Sequence, residues 1–253
     1  MPATIAVLGA GNMGTALITG LIAKDYPANK LLVSDPSSEK LDQLQKKYKI
    51  AIFNDNKAAV KNADVVLLAV KPQIMQQIAS DLVAITTQHN PLIISIAAGV
   101  TLENLQNWLG ANSPIIRAMP NTPALVGSGA TALFANSFVT KQQREIAQTI
   151  LNSVGLTVWL DAEEQMDMVT ALSGSGPAYF FLLMEIMQEV AEAHGLPKNV
   201  ARLLTTQTAL GAAQLAQSSD KSFIELRHQV TSPGGTTEAA LKVLENENFH
   251  ALM

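Results

Sequence analysis

The chain has 253 residues, 48% of them hydrophobic and 15% charged, with 17 Lys and Arg against 21 Asp and Glu for a net charge of −4. That length accommodates one large domain or two unequal ones, each with its own core, and with no basic run the charge argues against nucleic acid or an anionic membrane as a main partner. Cysteine is absent, which removes disulfides, thiol catalysis and thiolate metal sites together, and His89, His194, His228 and His250 lie too far apart to pair at helical spacing, so no metal is expected.

The N-terminus carries no basic leader, and its first apolar run is interrupted by glycines and Asn12, which reads as a buried strand and not a secretory signal. The later runs "VVLLAV" and "IISIAAGV" are strand-length and far below the roughly 20 residues that span a bilayer. A soluble, cytoplasmic protein is expected.

Nearly continuous apolar runs mark strands over Ile5–Leu8, Leu31–Ser34, Val65–Ala69, Leu92–Ile96 and Ile115–Ala118, as for strands buried on both faces. Helical patterns over Met13–Ala23, Ser38–Lys47 and Lys57–Lys61 alternate with them, the grammar of a parallel, doubly wound sheet. "TALFAN" and "TVWLD" add two strands around a helix over Lys141–Val154. Alternation then stops, and helical patterns cover Glu164–Leu172, Ala178–Ala193, Val200–Ser218, Ser222–Gln229 and Thr236–Asn246. The expected fold is α/β: an N-terminal Rossmann-type doubly wound domain over residues 1–163, and a C-terminal all-α domain over 164–253. So small a helical unit, rich in Leu, Ala and Met, buries its apolar faces better against a twin, so a homodimer is expected through it.

The first loop, "GAGNMG", holds Gly9, Gly11 and Gly14 in the spacing GxGxxG between a strand and a helix. The first glycine permits the tight turn, the second a close approach of backbone to pyrophosphate, and the third close packing of helix on strand. In that context Gly9, Ala10, Gly11, Asn12, Met13 and Gly14 are expected to bind a dinucleotide at the helix N-terminus. Asp35, 21 residues after Gly14, stands where an acid binds the adenosine ribose of NAD, whereas Ser34, Ser37, Ser38 and Lys40 around it suit a 2′-phosphate if Asp35 points away. NADPH and NADH both stay open. Ala69, Val70, Lys71 and Pro72 follow one strand, and Ala97, Ala98 and Gly99 another, at carboxyl ends where open α/β sheets bind ligands.

Three further stretches, "IIRAMPNTPALVGSG", "ALSGSGPAY" and "VTSPGGTTEAALKVLE", join "GAGNMG" and "AVKP" in an order running from residue 5 to about residue 250. With them the chain resembles the pyrroline-5-carboxylate reductase family. The resemblance implies hydride transfer from NADPH or NADH to the C=N carbon of 1-pyrroline-5-carboxylate, the final step of proline biosynthesis. It adds Asn56 to the cofactor set, and places Glu163, Val230, Ser232, Gly234, Gly235, Thr236 and Thr237 around the substrate. Gln229 stands where some members of the family carry Asn. The family usually continues past "LENENFHALM" with a final helix and assembles its dimers further, so a trimmed C-terminus is an expectation here.

The chemistry suits these residues. "SPGG" opening a helix offers free amides to a small carboxylate. The Thr237 hydroxyl, the expected catalytic group, can hydrogen-bond the imine nitrogen and relay a proton from water, although it is too weak an acid to act alone. "MPNTP" reads as a rigid loop holding Asn121 toward the nicotinamide, and Ser175 in "SGSGPAY" as a residue behind the substrate contacts. Two other readings are a 2-hydroxy acid dehydrogenase-like oxidoreductase and a non-catalytic dinucleotide sensor. Against the first, Lys198 and Lys221 lie outside the central helices where such enzymes place their proton donor.

Overall fold

A computed structural model describes residues 2–253. The first compact unit ends at Tyr179, and the second runs from Phe180 to Met253.

In the first unit the strands β1 (Ile5–Leu8), β2 (Leu31–Ser34), β3 (Ala51–Phe53), β4 (Val65–Leu68), β5 (Leu92–Ser95), β6 (Ile115–Met119), β7 (Gly129–Ala135) and β8 (Gly155–Trp159) form one sheet in the order β3-β2-β1-β4-β5-β6-β7-β8. Strands β1 to β6 pair in parallel, as expected, but β7 runs antiparallel to β6 and β8 parallel to β7. The antiparallel step follows from the short β6–β7 connection, which a parallel crossover of a dozen or more residues could not fit.

The continuous apolar strands follow from a sheet covered on both faces. Ile5, Val7, Val65, Leu67 and Ile94 point into one core with Leu17, Ile18, Leu41 and Ile150. Ala6, Leu8, Val66, Leu68 and Ile93 point into a second core with Met75, Leu82, Leu105 and Leu109. The helices of this unit are α1 (Asn12–Ala23), α2 (Ser38–Tyr48), α3 (Asn56–Val60), α4 (Pro72–His89), α5 (Leu102–Leu109), α6 (Lys141–Leu151) and α7 (Gln165–Val169). β3, α4 and α5 add to the elements expected from sequence, and the expected helix to Val154 ends in a 3₁₀ turn over Asn152–Val154. Neighbours of β1 on its two sides continue the chain in opposite directions along the sheet, so its carboxyl end is the switch point where open α/β sheets bind ligands.

After α7 the chain makes a π turn over Thr170–Gly174 and enters α8 (Gly176–Ala193). The second unit continues with α9 (Lys198–Gln217), α10 (Phe223–Gln229), α11 (Thr236–Asn246) and α12 (Phe249–Leu252). Ser222 caps α10 in a reciprocal box with Glu225. Alone, this unit buries little: Ala201 and Thr205 are the buried residues of α9, while Phe180, Phe181, Leu203 and Leu204 are all more than half exposed. The run Gln165–Ala193, with mean hydropathy 1.2 and little of it buried, is long and apolar enough by length and composition alone to cross a membrane, whereas "VVLLAV" and "IISIAAGV" hold the strands β4 and β5 as expected.

Candidate functional site

The glycine turn is built as a cradle. Gly9 has φ +105°, a left-handed conformation that favours glycine, and a Cβ there would stand 2.6 Å from the Ala69 carbonyl oxygen. A Cβ on Gly14 would collide with the Gly9 carbonyl oxygen, so only glycine lets α1 pack this close to the turn. Gly11 is the N-cap of α1, and among the described residues nothing lies within 4 Å of where a Cβ on it would stand. An open notch over free helix amides is the shape and polarity a pyrophosphate needs, and these residues fit a dinucleotide.

Asp35 follows β2 and is 7% exposed. Its carboxylate turns toward the glycine loop: Oδ2 accepts from the Ala10 N–H at 2.7 Å and Oδ1 from the Ser37 N–H at 2.9 Å. Both oxygens are thus engaged by backbone, and Asp35 ties the end of β2 to the phosphate turn. Ser34 is buried, Ser37 caps α2, and Ser38 and Lys40 are exposed on the same side of the sheet end.

The other carboxyl ends line up beside it. Gly9 N–H donates to Ser34 O at 2.7 Å, Ala69 N–H to Leu8 O at 2.8 Å and Ile96 N–H to Leu68 O at 3.2 Å, which stitches the loops into one edge. Lys71 caps α4 with Pro72 at its first turn, and both are exposed; Ala98 and Gly99 are exposed above buried Ala97. Asn56 opens α3, whose cap Asp55 accepts from the Lys57 N–H at 3.1 Å. The first unit therefore brings Gly9–Gly14, Asp35, Asn56, Ala69–Pro72 and Ala97–Gly99 to one side of the sheet.

Glu163 holds a second junction in this unit. Its Oε1 accepts from the Leu102 N–H at 2.8 Å and from Arg117 Nη1 at 2.9 Å. Arg117, on β6, is 6% exposed and was not singled out by sequence; an arginine inside an apolar strand is the signal that marks a buried ion pair. Asn121, read from sequence as facing the nicotinamide, has both ends of its amide committed within the protein instead, donating to Ser173 O at 3.0 Å and accepting from the Ala130 N–H at 2.9 Å.

In the second unit, "SPGG" turns into α11 with Gly235 as N-cap. Gly234 N–H donates to Glu238 Oε2 at 2.6 Å, and with Lys242 Nζ 3.2 Å from the other oxygen this holds the Glu238 carboxyl below the usual range. The amides of Thr236 and Thr237 form the first turn beyond that bond, Thr237 half-buried and Thr236, Ser232 and Val230 on the same turn. An apolar groove of about 670 Å³ runs between α8, α9 and α10, its floor formed in part by Ala209, Ala212, Ala213 and Ala216.

Residues 163–253 match the family model described as pyrroline-5-carboxylate reductase dimerisation, and residues 4–99 match that described as NADP oxidoreductase, coenzyme F420-dependent. A pyrroline-5-carboxylate reductase of Pseudomonas aeruginosa is 49% identical over 249 residues, 98% of this chain and 91% of that protein. The structure of a pyrroline-5-carboxylate reductase from Coxiella burnetii superposes with a TM-score of 0.95 at 47% identity, covering 100% of this chain and 93% of the other. One from Plasmodium falciparum, solved with NADP bound, superposes with a TM-score of 0.88 at 29% identity, covering 99% of this chain and 92% of the other.

Proposed function

The chain belongs to the pyrroline-5-carboxylate reductase family, and we propose from that premise how its own residues carry the reduction of 1-pyrroline-5-carboxylate to L-proline. It is an NAD(P)H-dependent oxidoreductase acting on a C=N bond, and it homodimerises through its C-terminal helices. We assign cofactor binding to residues 1–163, and substrate binding and dimerisation to 164–253.

The observation that carries the cofactor assignment is the open notch at Gly11 on the N-terminus of α1, flanked by two positions where a side chain would collide with backbone. When bound, NAD(P)H supplies the hydride that adds to the imine carbon. Gly9–Gly14 hold its phosphates, and Ala69–Pro72 with Ala97–Gly99 bound its nicotinamide side. Asp35 spends its charge on the Ala10 and Ser37 amides. The exposed groups beyond the end of β2 include Ser38, whose Oγ accepts from Asn54 Nδ2 at 3.2 Å, and Lys40, with Glu39 between them; the hydroxyl and the cation suit a 2′-phosphate, so NADPH is the preferred reductant of this reading. The structure with NADP from Plasmodium falciparum supports it.

For the substrate, the first-turn amides at Thr236 and Thr237 take the carboxylate, with Gly234 and Gly235 leaving room beside them. Positive character on the imine nitrogen favours hydride addition, and the Thr237 hydroxyl hydrogen-bonds that nitrogen and passes it a proton from water. Val230 and Ser232 complete the wall; Glu163, a substrate residue by the family resemblance, is a carboxylate fixed in place by Arg117 within the first unit. Catalysis in this reading is orientation and proton relay with no strongly titrating side chain.

The occupant of the apolar α8–α9 face is a second copy of the chain, because the dimerisation family model covers residues 163–253 and α8 leaves Phe180, Leu183, Met187 and Val190 exposed on the face opposite Glu185, Gln188 and Glu192. The reading places the enzyme in the cytoplasm. The test is NADPH oxidation by the purified dimer on addition of 1-pyrroline-5-carboxylate, with kcat/KM compared for NADPH and NADH. Cofactor binding without turnover would overturn the reading, and a higher kcat/KM with NADH would overturn the cofactor preference.

A further inference from the structure

Pro177 has no N–H, so in a regular helix the carbonyl four residues before it, that of Ser173, has no donor. The chain answers with the π turn over Thr170–Gly174, closed by the Ser175 N–H donating to Thr170 O at 2.8 Å, five residues back. The Ser173 carbonyl is then satisfied from across the fold: Asn121 Nδ2 donates to it at 3.0 Å, 52 residues away in sequence. The other end of the same amide accepts from the Ala130 N–H at 2.9 Å, which fixes its orientation, since a backbone N–H can face only the amide oxygen. Two residues earlier, Met119 Cε lies 2.6 Å from where a Cβ on Gly174 would stand. The carboxyl end of β6 therefore grips the π turn at two adjacent points.

We propose that Asn121 is a positioning residue for imine reduction, holding the π turn in register so that Ser175 stands at the carboxyl edge of the sheet. This rests on the reading above, in which that edge receives the nicotinamide. Ser175 is exposed, and it follows directly the turn that Asn121 and Met119 anchor to β6. Removing the extra residue of the π turn rotates everything after it by about 100° in an α-helix, which would carry Ser175 off this edge. Asn121 thus acts through the turn, and the need for it is written 56 residues downstream, in Pro177.

The test uses the dimer and four chains: wild type, Asn121→Asp, Asn121→Ala, and Asn121→Ala combined with Pro177→Ala. The aspartate keeps an acceptor for the Ala130 N–H and loses the donor for Ser173. It is expected to lower kcat by about tenfold or more, as small misplacements near a reacting centre do, while NADPH affinity by fluorescence titration stays close to wild type. In the double variant the new N–H at position 177 satisfies Ser173 O within the helix. Its melting temperature is expected to recover relative to Asn121→Ala, whereas kcat is not. Wild-type kcat in the double variant, or in a folded Asn121→Asp chain, would overturn the proposal. Wild-type turnover in the same assay reports separately on the functional reading.

Discussion

Arg117 Nη1 donates to Glu163 Oε1 at 2.9 Å, and the same oxygen accepts the Leu102 N–H at 2.8 Å, so one carboxylate ties β6, the start of α5 and the segment after β8 together. The arginine side chain is 7% exposed and the glutamate 23%, which places the pair largely out of water. Breaking such a pair leaves an uncompensated charge behind. Arg117→Met is expected to cost about 3 kcal/mol of unfolding free energy, read from urea denaturation of the dimer at fixed protein concentration. Glu163→Gln, which keeps an acceptor oxygen for both donors, should cost less than Glu163→Ala; the reverse order would count against the bridging geometry.

Gly11 and Gly14 separate cofactor binding from folding. Gly14→Ala drives a methyl into the Gly9 carbonyl oxygen and should destabilise the chain as well as weaken NADPH binding. Gly11→Ala meets no atom of the described residues within 4 Å. It should keep the wild-type melting temperature and raise the NADPH KM by about tenfold or more, because the methyl fills the notch meant for pyrophosphate. Equal melting losses in the two variants would contradict this assignment.

Asp35 supports the same turn from behind. Asparagine at position 35 offers one acceptor where two backbone N–H groups need one each, so an amide NH₂ must face an N–H. Asp35→Asn is expected to weaken NADPH binding by about tenfold, the scale of one charge-assisted hydrogen bond, measured by fluorescence titration. An unchanged dissociation constant would show that the turn holds its shape without the carboxylate.

Thr237 is tested by its hydroxyl. Thr237→Val preserves shape and removes the relay, and kcat is expected to fall by about a hundredfold. Thr237→Ser keeps the hydroxyl and should recover most of the loss. Equal kcat in all three chains would remove the relay role.

Glu238 gives the α11 turn a pH dependence. Its carboxyl is held below the usual 4.5, first by the Gly234 N–H and then by Lys242. A depressed folded-state value means the contribution is complete above 4.5 and is lost as pH falls through the lowered value. In Glu238→Gln the amide oxygen still accepts from Gly234 but does not titrate. Melting temperature followed into acid should therefore decline less steeply in the variant than in wild type.

The glycine turn and the "SPGGTT" turn were both legible in sequence because each sits between elements with strong local patterns. So were the buried strands: Ile5–Leu8 and Val65–Leu68 are apolar on both faces, and the structure covers both faces with helices. β3 was not, since Ala51–Phe53 is three half-buried residues at the sheet edge and too short to show a period. The helix Pro72–His89 carried a readable signal in Met75, Ala79, Leu82 and Thr86, spaced at three or four residues and all buried.

By itself, the sequence determined most of the order of strands and helices and the place of the phosphate turn, because these follow from local periodicity and from glycines at a tight turn, while the family rested on the resemblance of its motifs. Tertiary structure decided which way the polar side chains face. Asp35 stands at the end of β2 in either case, and only folding shows its two oxygens committed to the Ala10 and Ser37 amides. Asn121 and Ser173, like Arg117 and Glu163, are far apart in the chain and meet only when β6 is in place. A hydrogen bond is a matter of distance and direction between two groups, and sequence spacing encodes neither once the partners lie on different elements.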